Sequence, residues 1–436
     1  MHLNVKSIIT IVVVVAGVAA GIYTMTTKPA PTSPAKTAGQ LQPGAVMPPG
    51  HPPVSQGNQQ AGSPSPDLMT MSPVHPPTDQ VSGQEPQQSG KVQRDPNARF
   101  THFRVGNSNV KSIFIDGKIT WVGTSSGVIR YDTGTDEFRM FDNRSGLLSN
   151  GVFYLDKLNG RIVAGTYGGG LSIYDHTLDK WENLNVPDGL ADAFVYGVLE
   201  ADNGDIWIAT WSGANRIRGG NLKDRSKWDV FTVENTNGGL PNDWVYGFAK
   251  GKNGEIWFAT EGGPARFKDG KWENWNHKTG IGAPFEKVKN DPQFGTDPSK
   301  FSSHHAQQKK EMGLEGIGVA YNPNYIISIV VDRNGVVWCG TWGAGLARFD
   351  GKKWRNYTMA DGLPGNHIFT LHEDQAGQLW VGTNNGLARF DEDKNKIKVL
   401  TTADGLFSNA IFSMATGTDG SKWLGSFGGV THLAAP

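Results

Sequence analysis

From residue 98 onward, short runs alternate apolar and polar residues with a period of two, as in His367-Ile-Phe-Thr-Leu-His372. Such alternation predicts half-buried strands. The runs lead into turns carrying Asn203-Gly204, Asn253-Gly254, Asn334-Gly335 or Asp419-Gly420, dipeptides that supply the positive φ of a tight hairpin. A second strand then reads W-x-G-T, a short turn follows, and the third strand reads G-L-x-R-F-D. The fourth is a polar-aromatic run, Lys-Trp-x-x, as at Lys180, Lys271 and Lys353. Copies of the second strand begin at Trp121, Val163, Trp207, Trp257, Trp338, Trp380 and Trp423, separated by 42, 44, 50, 81, 42 and 43 residues. Four antiparallel strands in about 43 residues is the length and content of a propeller blade. The expected fold is all-β, a seven-bladed β-propeller of four-stranded antiparallel blades over residues 98–436.

The ends of this region are expected to close the ring. After Trp423 there is room for one more strand, Gly429 to Leu433, so the seventh blade lacks its outer strand. Ala98-Arg-Phe-Thr-His-Phe-Arg104 has the outer-strand pattern and would supply it from the N-terminal side, leaving no open edge between blades. Trp121, Trp207, Trp257, Trp338, Trp380 and Trp423 read as filler between neighbouring blades, not as site residues. The third-strand residues Arg130, Arg216, Arg266, Arg348 and Arg389 read as partners of the following Asp or as cover for the blade edge.

In such a blade, the connection into strand one and the turn between strands two and three emerge on the same face. After the G-T step the copies carry Ser125, Tyr167, Trp211, Glu261, Trp342, Asn384 and Phe427. At the start of strand one they carry Asn109, Gly151, Phe194, Trp244, Tyr325, His367 and Ala410. The expected ligand-binding face is therefore Tyr167, Phe194, Trp211, Trp244, Glu261, Tyr325, Trp342, His367 and Phe427. Rings in turns suggest a stacking surface for a sugar, a peptide or an aromatic compound. They read equally as plugs of the channel mouth. The long fourth interval places an insertion, about residues 283–322, on that same face. With little apolar content it reads as a loop serving as a lid or partner contact, not as an eighth blade. Its His304-His305 pair with Glu311 invites a metal, but adjacent His side chains suit one ion poorly, and solvated polar residues are the preferred reading.

The chain before residue 98 is a different polymer. Residues 8–25, IITIVVVVAGVAAGIYTM, are uncharged and long enough to span a hydrocarbon core of about 30 Å as a helix. Residues 1–27 are read as an uncleaved membrane anchor, with cleavage as a signal peptide after Val18-Ala19-Ala20 as the alternative, in which case the protein is secreted. Either way the body lies outside the cytoplasm. The expected location is a bacterial inner membrane, crossed once, with the propeller in the periplasm. Residues 28–97 are rich in Pro, Gln, Ser and Gly and read as a disordered linker, with an r.m.s. span of about 45 Å. Within it, Met47-Pro-Pro-Gly-His51 and Met71-Ser-Pro-Val-His75 each precede Pro-Pro. Thioether and imidazole suit Cu(I), and the repeated HPP suits a docking peptide, but Pro-rich filler is the preferred reading.

Composition narrows the function. Forty-one basic against 41 acidic side chains give no net charge, which argues against a nucleic-acid partner held through its phosphates. The single cysteine, Cys339, excludes disulfides within the chain, Cys-based zinc sites and C-x-x-C-H haem attachment, and no cofactor is expected.

The repeats GLPNDWVYGFAKGKNGEIWFATEGGPARF and DGLPGNHIFTLHEDQAGQLWVGTNNGLARFD resemble the two-component regulator propeller repeats of extracytoplasmic sensor domains in bacterial hybrid sensor kinases. The resemblance covers about residues 98–436. It implies a periplasmic propeller that recognises a ligand, often a glycan fragment, and signals to attached domains. The copy from Val163 lacks the Trp, those from Trp207 and Trp257 have Ala for Gly, and no kinase or DNA-binding segment follows Pro436, so only recognition carries over. The expected function is a membrane-tethered extracytoplasmic propeller that binds a small ligand or a periplasmic or membrane protein, as a recognition, scaffold or sensor accessory module. The alternative is a propeller lyase or hydrolase with Glu261, His367 and Asp243 as acid and base at the channel mouth. Nothing pairs those residues by sequence and no G-x-S-x-G is present, so the balance is against an enzyme. A copper-handling or electron-transfer accessory is the third reading and rests on the Met/His motifs alone.

Overall fold

The W-x-G-T strand of each repeat has antiparallel partners on both sides. In the repeat of Trp380 the sheet order is Ile368–Glu373, Leu379–Thr383, Gly386–Phe390 and Ile397–Leu400, with Trp380 opposite His372 on one side and Arg389 on the other. The computed structural model describes residues 89–95, 97–292, 297–300, 302–390 and 397–435, which hold five four-stranded sheets and one of eight strands. The chain is an all-β propeller of four-stranded antiparallel blades. In the eight-stranded sheet, Phe100–Asp116 serves two neighbours: Phe100 to Arg104 pair with Leu433 to Gly429, and Val110 to Asp116 with Thr124 to Ile119. The first strands of successive repeats touch in chain order, and Ser413–Thr416 returns to touch Phe100–Asp116. The anchor, linker residues 28–88 and the Met47, His51, Met71 and His75 positions lie outside the described residues. Among the described residues no helix is long and apolar enough to cross a membrane.

The core lies between blades. Trp121 packs with Val152, Leu155, Tyr174 and Trp181 of the next repeat, and Trp207 with Val245, Phe258 and Phe267. Trp338 does the same with Ile368, Val381 and Phe390. Burying an indole removes roughly 150–250 Å² from water, an upper bound of about 4–6 kcal/mol for each blade junction. The third-strand arginines cover these rings. Arg216 lies 5.5 Å over Trp207, Arg266 5.6 Å over Trp257, Arg348 5.6 Å over Trp338 and Arg389 5.7 Å over Trp380. Each is the direct cross-strand neighbour of its Trp, so the pleat puts both side chains on one face. Of the expected pairings with the following Asp, Arg348 and Asp350 lie 3.8 Å apart. The Gly that opens the third strand is required sterically: Gly213 has φ 107°, and a Cβ there would collide with the Phe231 carbonyl oxygen.

Two segments differ from expectation. The linker, assigned to 28–97, gives up its last residues to the propeller. Ser89–Lys91 adds a strand beside Glu137–Phe141, the Val92 amide donates to the Asp136 carbonyl, and Arg94 sits 2.6 Å from the Asp136 carboxylate. The cause is the unpaired outer edge of Glu137–Phe141, which offers a row of backbone donors and acceptors. The insertion, expected as a loop, contains helices α1 (Phe285–Val288) and α2 (Ser303–Glu311), and its Ala283, Val288 and Tyr321 form a small core with Ala344 of the following repeat. Lys309 of α2 is buried, 2.6 Å from Asp297 and bonded to the Ile317 and Val319 carbonyls. A composition that reads as solvated thus ties the insertion together internally.

Candidate functional site: the central cavity and its cap

Six of the innermost strands carry a break in register at the same place. The pairing skips from Val110 to Ser112, Val152 to Tyr154, Val195 to Gly197, Val245 to Gly247, Ile326 to Ser328 and Ile368 to Thr370. A bulge leaves one residue unpaired and re-aims its side chain. The skipped residues, Lys111, Phe153, Tyr196, Tyr246, Ile327 and Phe369, all line a central cavity of about 640 Å³, together with Phe412 of the last repeat. Neighbouring rings make a collar: Phe153 to Tyr196 4.7 Å, Tyr196 to Tyr246 5.1 Å, Tyr246 to Tyr325 4.9 Å and Phe369 to Phe412 5.1 Å between centroids. Trp342 bridges Tyr325 (5.8 Å) and Phe369 (6.0 Å), and the Lys111 ammonium lies 5.5 Å from the Phe412 ring. Below the collar the wall carries Asp156, His372 and Thr416. Burial raises the Asp156 pKa, against hydrogen bonds from the Tyr154 hydroxyl and the Lys157 amide. Burial lowers that of His372, whose Nε2 meets the Thr416 hydroxyl at 2.8 Å.

Of the residues expected to form a ligand face, Tyr325 and Trp342 line the cavity, the others stand beside the collar, and most are buried. Phe194, Trp211 and Trp244 form one cluster with Tyr167, with Trp211 and Trp244 only 3.6 Å apart by centroid. Tyr325 and Trp342 form a second with Ala320 of the insertion. Phe427 is partly buried, opposite Asn109 in the ladder. His367 is enclosed, donates from Nε2 to the Ala320 carbonyl (2.8 Å), and has its pKa pushed down by burial to about 4. Asp243 accepts from the Val233 amide at 2.7 Å. Trp244, Tyr325 and Trp342 lie against the insertion, and Phe194 and Trp211 are buried beside Trp244.

Glu261 is the centre of the cap. It is 1% exposed, and both its oxygens are engaged. Oε1 accepts from the Tyr246 hydroxyl at 2.8 Å and lies 3.3 Å from His305 Nε2. Oε2 meets His304 Nε2 and the Gln308 amide, each at 2.8 Å. Burial alone would raise the Glu261 pKa; the His305 charge and the hydrogen bonds of both histidines outweigh it and bring it down to about 2. The His304 ring also stacks on Trp244 at 4.1 Å. The expectation that His304 and His305 are solvated beside Glu311 is therefore corrected: they dock α2 onto the blade of Glu261, while Glu311 binds Gln307. On the far side, Asp291 of the insertion accepts from Asn366 at 2.6 Å. Among the described residues no group of three His, Cys, Asp or Glu side chains is arranged to hold a metal ion.

Apart from Tyr325 and Trp342, the collar was missed from sequence. Its signal is the step x-(Val/Ile)-x-small at the head of each inner strand, as in Phe194-Val-Tyr-Gly, Trp244-Val-Tyr-Gly, His367-Ile-Phe-Thr and Ala410-Ile-Phe-Ser. Reading outward from the fixed Val or Ile picks the residue before it; the bulge selects the residue after it.

Comparison with known proteins agrees with the propeller fold. The two component regulator propeller family matches residues 189–212, 239–262, 320–343 and 362–385. No curated protein matches the chain by sequence. Among solved structures, the chain is similar to the extracellular domain of a hybrid two component system from B. thetaiotaomicron (TM-score 0.59, 21% identity), over 77% of this chain and 41% of that one. It spans about two-fifths of the length of that relative. It is also similar to virginiamycin B lyase from Staphylococcus aureus (TM-score 0.51, 12% identity, 77% of this chain and 99% of that one). A third is YCF48 bound to D1 peptide (TM-score 0.51, 11% identity, 79% and 99%). At these identities the likeness is one of fold. Four of its repeats thus match the two component regulator propeller family model.

Proposed function

We propose that this protein is a recognition module: a propeller tethered to a bacterial inner membrane, facing the periplasm, that binds a small ligand or a protein partner at its central cavity. The observation that carries the reading is the bulge-built collar, because six strands each give up a ladder position to turn a side chain inward. The location is supported by the uncharged run 8–25 and by the similarity to an extracellular domain of a two component system. Seven blades closed by Phe100 to Arg104 is part of the same proposal, supported by the pairing of those residues with Gly429 to Leu433 and by the cycle of contacts among inner strands. The expected face, Tyr167 to Phe427, then acts as the frame that positions the collar and receives the cap. An acid–base role for Glu261 and His367 draws no support from their bonding, since each is committed to a partner in the insertion or the collar.

The test is a thermal-shift panel of glycans, peptides and small aromatic molecules on the full chain and on Phe369→Ala/Phe412→Ala. A ligand that raises the Tm of the wild type and leaves the double variant unmoved is expected. Ligands that shift both equally would place recognition elsewhere.

A further inference from the structure

The rings of the collar are spaced for a positive charge. Phe153, Tyr196, Tyr246, Phe369 and Phe412 stand at the same position of their inner strands, and all line the cavity. Where two of them are neighbours, their centroids lie 4.7 to 5.1 Å apart. With seven blades around the axis, that spacing sets each ring roughly 5.4–5.9 Å from the axis, inside the ~6 Å over which an aromatic face attracts a cation. The collar already holds one such contact: the Lys111 ammonium lies over the Phe412 ring, 5.5 Å from its centroid.

Negative charge stands behind the rings. Tyr325 donates to Tyr246, and Tyr246 donates to the enclosed Glu261 carboxylate at 2.8 Å. A phenol that donates to a carboxylate gains electron density, which strengthens the pull of its ring on a cation. The other partners of Glu261, which are His304, His305 and Gln308, come from the cap and are not among the residues that line the cavity. On the wall itself Lys111 and Asp156 oppose each other in formal charge. Polar groups are present as well: Tyr196, Ser328 and Thr370 line the cavity, and the Ser328 hydroxyl oxygen is buried with no hydrogen bond to the protein. A bare ammonium gives up hydrogen bonds to water on entering such a space, whereas a methylated one has none to give up and meets ring faces through its methyl groups.

From this we propose that the cavity binds an organic cation with a methylated ammonium group, held within the collar, the rest of the molecule bonding to the hydroxyls of Tyr196, Ser328 and Thr370. The proposal rests on the reading of the cavity as the binding site and names the class of molecule for it.

The test uses calorimetric titration of the full chain with three probes: choline, its uncharged isostere 3,3-dimethylbutanol, and cellobiose. Choline should bind at least tenfold more tightly than the isostere, and cellobiose should not bind. Phe369→Leu keeps apolar bulk and removes a π face, so it should weaken choline several-fold and leave the isostere within twofold, with thermal melts confirming that the variant is folded. Equal binding of choline and the isostere by the wild type, or equal weakening of both in Phe369→Leu, overturns the cation reading. Binding of cellobiose in place of choline, lost in Phe369→Ala/Phe412→Ala, overturns the class while leaving the cavity as the site. If none of the three binds, the class falls, and the cavity reading falls with it only if the ligand panel also draws no response from the wild type.

Discussion

Replacing Glu261 by Gln tests whether the cap is held electrostatically. The carboxylate is enclosed, and its pKa of about 2 compares with 4.5 for an ordinary glutamate. That gap corresponds to about 3 kcal/mol of preference for the docked, ionised form, at roughly 1.4 kcal/mol per unit. Tyr246 keeps its bond when α2 lifts, so the share that belongs to His304, His305 and Gln308 is smaller, about 2 kcal/mol. A carboxylate with a depressed pKa stabilises fully above its ordinary value and loses that contribution as pH falls through the depressed one. The contribution is therefore complete at pH 6 and fades between pH 4.5 and 2. The readout is hydrogen exchange of the amides in Ser303–Glu311, compared between variant and wild type at the same pH so that intrinsic exchange cancels. At pH 6 the variant should exchange roughly thirtyfold faster wherever exchange follows the opening equilibrium. At pH 2.5, about half a unit above the depressed pKa, most of the contribution is gone and the ratio should fall to a few-fold. Equal rates at pH 6, or a ratio constant from pH 6 to 2.5, would refute the electrostatic account of the cap.

Other perturbations probe the frame. Trp338→Ala, at a fully buried blade junction, should cost about 3–5 kcal/mol in urea unfolding; a loss under about 1 kcal/mol would contradict the inter-blade packing. His367 is buried neutral with its pKa near 4, so the unfolded chain takes up a proton first, and stability should fall as pH drops from 6.5 toward 4; in His367→Gln that slope should flatten, as read from Tm against pH. Lys309→Met leaves Asp297 buried without its cation and should loosen the insertion by about 3 kcal/mol, seen as faster proteolytic cleavage within 283–322 while the blades stay intact. Arg94→Ala breaks an ion pair about a quarter exposed on each side and should cost under about 1 kcal/mol.

What was legible in the sequence follows the ladder, and what was not departs from it. The spacing of W-x-G-T sets strand two, the cross-strand Arg and the Gly at the next turn, because period-two pairing carries position directly into contact. The collar lies where that rule is broken: after one skipped residue, every later side chain changes face, so Tyr196 and Tyr246 turn into the channel although alternation from Val195 and Val245 places them elsewhere. The cap fails to show for a different reason. His304 and Glu261 are 43 residues apart, joined by a segment whose composition reads as solvent-exposed, and their contact exists only because the insertion folds on Lys309 and Asp297. The two illegible features meet at one side chain. Tyr246, displaced inward by its bulge, stacks on Tyr325 within the collar and places its hydroxyl on the carboxylate that receives α2. A molecule that displaces the Tyr246 ring would also break the Glu261 bond and free the carboxylate that α2 docks on, which predicts a link between occupancy of the cavity and docking of the cap. Tyr246→Phe separates them: it keeps the ring and removes the hydroxyl. In that variant a cavity ligand should still bind but should no longer alter hydrogen exchange in Ser303–Glu311, whereas an unchanged exchange response would show that the coupling runs through some other contact.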